Sequence, residues 1–172
     1  MALRDRLPAN ETIAEFEAAR FDRYHDGLVL IGGDRRVGAI YLFGYFVEMT
    51  LKSASFTLLG FQKSDPITKR ELNAAATRAE KELGIDVPQE GYHSLQFWAL
   101  AIVAERDHMG QPLPIALTSE LNWRSQRMHS HWTIAMRYSR DVTRPEDWER
   151  LWEDSQWLHA NYDILIAMNS PL

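Results

Sequence analysis

The chain has 172 residues, 45% of them hydrophobic and 25% charged, with a net charge of −5 and no cysteine. These figures fit one globular domain with a sizeable core. They exclude a disulfide framework, a thiol nucleophile, a thiolate zinc site and a surface basic enough to coat nucleic acid on every side.

The N-terminal string MALRDRLPANE lacks an apolar run, so no secretory signal is expected, and a chain without cysteine suits the reducing cytoplasm. The first helix is expected from Thr12, because Thr12-Ile13-Ala14-Glu15 has the form of a capping box. Ile13, Phe16, Ala19 and Phe21 form its apolar side. It should fade by Gly27, leaving residues 28–31 as a loop that packs on the core and closes at Gly32 and Gly33. Residues 1–32 therefore read as an N-terminal helix with its connector, and 33–168 as the core bundle of a single domain spanning 1–172.

Residues 37–60 read VGAIYLFGYFVEMTLKSASFTLLG, apolar on every side, which predicts a helix over roughly 34–59 buried on all faces. Its one acid, Glu48, and its one base, Lys52, stand four residues apart on the same face. Ionised groups in such a helix are costly unless paired, so Glu48 is expected to be buried against Lys52 or Arg137. The two charges, with Ser and Thr beside them, argue against a membrane span. Gly44 shares the face of Glu48 and has no side chain to keep a neighbour away.

Asp65 and Pro66 suit the N-cap and first turn of a third helix, which should stop at Gly84. His93 or Ser94 opens a fourth, ending at Gly110 and burying Leu95, Trp98, Leu100, Ile102 and Val103. Pro112 and Pro114 break the chain, and a helix over roughly 119–137 follows. Thr143-Arg144-Pro145-Glu146 again has a capping-box form and opens the last helix, expected to run to Met168. Trp148, Leu151, Trp152, Ser155, Leu158, Tyr162 and Leu165 make its inner stripe. The expected fold is all-α, an up-and-down bundle of five to six helices.

The string AIYLFGYFVEMTLKSA, with Gly44, Tyr45, Glu48, Leu51 and Lys52, resembles the opening core helix of HEPN-domain proteins. His93-Ser94-Leu95 and Met136-Arg137-Tyr138-Ser139 follow in the order that family usually shows. The resemblance implies a HEPN-like bundle and a homodimer. In a toxin–antitoxin setting it also implies a nucleotidyltransferase-type protein partner. Active members of the family cut RNA without metal, using Arg, then four to six residues, then His. Arg124 with His129, and Arg124 with His131, match that spacing here. The Arg would steady charge on the phosphate while the His moves the proton of the attacking 2′-hydroxyl. The residues around them depart from the family pattern, since a Tyr is favoured two places past the His and neither His131 nor Thr133 supplies it. Arg20 and His25 repeat the spacing in a different helix, so the spacing alone is weak.

Residues 122–144 hold Arg124, Arg127, Arg137, Arg140 and Arg144 with two His and a single acid, Asp141. Arg suits phosphate because its guanidinium holds two oxygens at once, and Trp123 and Trp132 could stack on bases. The bland alternative is an Arg-rich helix balanced in space by the acids of residues 146–154. No metal-ligand spacing and no phosphate loop occurs, so neither metal nor cofactor is expected, and His93 reads most simply as a helix-start residue. Three functions stay open. The first is binding of RNA, a nucleotide or an RNA-associated partner without catalysis. The second is a metal-independent endoribonuclease of toxin or defence type. The third is a dimeric interaction module.

Overall fold

The computed structural model describes residues 11–88, 91–138 and 143–167, with the backbone alone for Gly91, Arg137, Tyr138 and Pro145. Six α-helices carry it: α1 Ile13–Gly32, α2 Arg36–Leu58, α3 Lys69–Lys81, α4 Leu95–His108, α5 Ile115–His131 and α6 Pro145–Ile166. The only strands among the described residues are β1 (Glu11–Thr12) and β2 (Pro66–Ile67), a two-residue antiparallel pair. The all-α bundle expected from the periodicity is the fold.

Helix α2 is the axis of the bundle, with α1, α4 and α6 packed around it and α5 joined to α4 and α6. It buries Phe43, Phe46, Val47, Leu51, Ala54, Phe56 and Leu58, so no side of it is left polar. Thr50 and Thr57 satisfy their hydroxyls on the helix itself, bonding the carbonyls of Phe46 (2.7 Å) and Ser53 (2.8 Å). Ser53 shares a 2.6 Å hydrogen bond with Tyr162, which ties α2 to α6. Along the inner stripe of α6, Leu151, Ser155, Leu158, Tyr162 and Leu165 are buried, while Trp148 and Trp152 are half-buried.

Thr12 caps α1 as expected, accepting the Glu15 N–H at 3.2 Å. The helix does not fade at Gly27, however, and residues 28–31 are its last full turn rather than a loop. Gly27 is there for contact, not termination: a Cβ on it would stand 2.9 Å from the Phe43 ring, so only glycine lets α1 approach α2 this closely. The third helix starts three residues later than Pro66. Thr68 caps it, and the Glu71 carboxylate reaches back to the Thr68 N–H at 3.0 Å, a better-satisfied start than Asp65 could offer. Asp65 instead accepts the Gln62 N–H at 2.8 Å and closes the preceding turn. The fifth helix runs over 115–131, not 119–137, because Trp132 is extended (φ −126°, ψ 136°) and a 3-10 helix, Ile134–Tyr138, follows. The last helix is capped one residue late, with the Asp147 carboxylate accepting the Arg144 N–H at 2.9 Å.

Among the described residues, no helix is long and apolar enough to cross a membrane.

Candidate functional site

The expected core pair is present. Glu48 and Lys52 have side chains 4% and 8% exposed, and Nζ lies 2.5 Å from Oε1. The side chain of Arg137, the other partner considered for Glu48, lies outside the described residues.

A third group joins this pair. His93, on the 3-10 helix Gly91–His93 just before α4, places Nδ1 at 3.0 Å from the same Glu48 oxygen. An ionised carboxylate can only accept, so Nδ1 donates an N–H to it, and in the neutral ring Nε2 then keeps its lone pair. Burial pushes the Glu48 carboxyl up, but the His93 hydrogen bond and the Lys52 charge outweigh it and hold the group below its ordinary value. The second oxygen, Oε2, is buried and has no hydrogen-bond partner among the described residues.

His93 opens into a cleft of about 330 Å³ that it lines together with His129, Trp132, Thr133 and Ile134. His129 is near the C-terminal end of α5, and its Nδ1 is buried and unpartnered among the described residues. Trp132 is buried because its indole occupies the notch that Gly44 leaves in α2. A Cβ on Gly44 would fall inside the ring. Its Nε1–H donates to the Tyr41 carbonyl at 3.1 Å, and its ring meets Tyr45 edge-on at 5.6 Å. The neighbour that Gly44 admits is thus a side chain rather than a whole helix. The cleft therefore holds two imidazoles, one oriented by a buried carboxylate, in a volume within the range of small-molecule sites.

Arg124 is not among the described residues lining this cleft. Its Nε donates to Glu120 (2.7 Å) and its Nη1 to Asp154 (2.7 Å). Arg127 grips the same Asp154 with Nε at 2.8 Å and with Nη2. Asp154 is 1% exposed, so one buried carboxylate of α6 holds both arginines of α5. Hydrogen bonding to Asp154 raises the Arg127 pKa above its ordinary value, against the cost of its partial burial. The guanidinium of Arg127 also lies 4.1 Å from the centroid of the exposed Trp123 ring. Of the other arginines proposed for phosphate, Arg144 is exposed at the start of α6, while Arg140 and the side chain of Arg137 lie outside the described residues. His131 is half-buried at the last position of α5 and does not line the cleft.

The sequence signals bring His129 to a cleft but leave Arg124 and Arg127 in an internal ion-pair cluster, the balance by the acids of 146–154 that was the bland alternative. Sequence alone presents His93 as a helix-start residue. The signal that could have found it is the buried Glu48 itself, which with one lysine still has lone pairs to fill.

Comparison with protein-family models, curated proteins and solved structures finds no match for this chain.

Proposed function

We propose that this is a HEPN-like helical protein that binds RNA or a nucleotide in the histidine cleft. The observation that carries the reading is the grouping of His93, His129 and Trp132 around one cleft, with Glu48 fixing the tautomer of His93. An imidazole N–H donates to a phosphate oxygen, and the volume lies within the range of small-molecule sites. Arg124 and Arg127 contribute little to this, since neither lines the cleft and both are tied to Asp154.

The test is a titration of labelled single-stranded RNA, and separately of AMP, at low salt. Binding should weaken steeply as salt rises, because each neutralised phosphate releases counterions. His93→Ala and His129→Ala should each weaken it while the far-UV spectrum stays that of the parent. Absence of RNA and AMP binding at low salt rejects the reading.

A second reading, metal-independent RNA cleavage, is favoured by one feature: a carboxylate-oriented imidazole able to accept a proton shares the cleft with a second imidazole able to donate one. In that case RNA is cut in EDTA, DNA of the same sequence stays intact, and His93→Ala abolishes cutting. Intact RNA under these conditions leaves binding as the function.

A further inference from the structure

A second cavity, of about 530 Å³, opens between α1, the C-terminal end of α2 with the turn after it, and α6. It shares no described lining residue with the histidine cleft. Its wall includes Arg20, which is 5% exposed and whose Nε and Nη1 are buried without a hydrogen-bond partner among the described residues. The guanidinium lies 3.9 Å from the centroid of Tyr162 and 4.9 Å from that of Phe21. Ring faces attract a cation but accept no conventional hydrogen bond. The nearest acid on the same helix is already engaged. Glu17 takes the Lys63 ammonium at 2.7 Å on one oxygen and the Tyr162 hydroxyl at 3.3 Å on the other. Burial holds the Arg20 pKa below its ordinary value, although Tyr162, Glu17 and Asp163 act the other way. A buried guanidinium without an acceptor is costly, and an anion that reaches it recovers that cost.

We propose that this cavity binds a small apolar monocarboxylate, its carboxylate accepting from one of the open donors of Arg20 and its hydrocarbon part lying against Phe21, Phe61 and Ile166. A guanidinium N–H gives a carboxylate a charge-assisted hydrogen bond. Glu17 and Asp163 on the same wall repel a phosphate dianion more than a single charge. Nε and Nη1 are covered, so the side chains around Arg20 have to shift as the ligand enters. The proposal stands apart from the reading of the histidine cleft.

The experiment is a calorimetric titration of the full chain with phenylacetate, with 2-phenylethanol as the uncharged analogue and inorganic phosphate as the competing anion. Phenylacetate should bind saturably, and the alcohol roughly tenfold or more weakly, the factor expected for losing a hydrogen bond to a charged group. Asp163→Asn, on the exposed rim, should strengthen phenylacetate binding, and Arg20→Met should remove it. Should Arg20→Met not fold, Asp163→Asn and the alcohol comparison decide the matter. Equal binding of acid and alcohol, tighter binding of phosphate than of phenylacetate, or no saturable phenylacetate binding at millimolar concentration each overturns the proposal.

Discussion

Replacing Glu48 by Gln keeps the shape of the side chain and removes its charge. The Lys52 ammonium, 8% exposed and 2.5 Å from the carboxylate, is then left in the core facing only an amide dipole. Breaking a buried pair by neutralising one partner costs about 3–5 kcal/mol. The bond from His93, at present made to a charged acceptor, weakens at the same time and falls within that range. In a chain of this length each 1 kcal/mol moves Tm by roughly 2–4 °C, so the variant should melt roughly 6–20 °C below the parent. Thermal and urea unfolding followed by circular dichroism measure this, with the urea slope unchanged if the native state stays compact. Adding Lys52→Met to Glu48→Gln should recover most of the loss, because the stranded charge goes with it. If Glu48→Gln melts within error of the parent, or the two substitutions merely add, the pair does not anchor the core and the reasoning fails.

The same carboxylate sets an acid limit. Its pKa in the folded chain lies below the ordinary value of 4.5, so its stabilising contribution is present above that pH and is lost as pH falls through the folded value. Tm should therefore decline as acid is added below about 4.5, and less steeply in Glu48→Gln, as pH-resolved melting curves would show. Gly44→Ala should be costly although it adds a single methyl, because that methyl would overlap the buried indole of Trp132, which has to leave its notch to admit it. A loss of about 1–3 kcal/mol in urea unfolding is expected for such overpacking, and a parent-like midpoint would mean that Trp132 can leave its notch.

Much of the fold was legible because long apolar runs and caps are local signals. Residues 37–60 read as a helix buried on all faces, and Thr12 and Ser94 announce the starts of α1 and α4 with hydroxyls that bond the backbone N–H groups of Glu15 and Phe97 at 3.2 Å. Gly84 and Gly110 close α3 and α4 with φ of +69° and +70°, a conformation that favours glycine. Gly27 misled because close helix contact and helix termination use the same residue, and sequence alone does not tell them apart. The Trp132 break has a related reason: residues 119–137 carry enough helix formers to continue, but the helix ends where Trp132 turns extended and seats in the notch at Gly44.

The candidate site was half legible. His129 was singled out by spacing to an arginine that the fold assigns elsewhere, and Asp154, the residue that claims that arginine, lies 30 positions away. His93 and Glu48 are 45 positions apart, so their meeting is a product of packing and leaves no trace in local pattern. Arg20 enters the sequence reading only through its spacing to His25, yet it is among the most buried cations described.

Trp132 has a consequence for how the molecule moves. The same indole forms one wall of the histidine cleft and plugs the central helix, with its N–H held by a carbonyl of that helix at 3.1 Å. The cleft wall and the centre of the bundle therefore share one side chain, which couples the opening of one to the packing of the other. A ligand that grips the cleft wall strengthens the whole bundle through mass action, and a sequence change that loosens the middle of α2 also loosens the cleft.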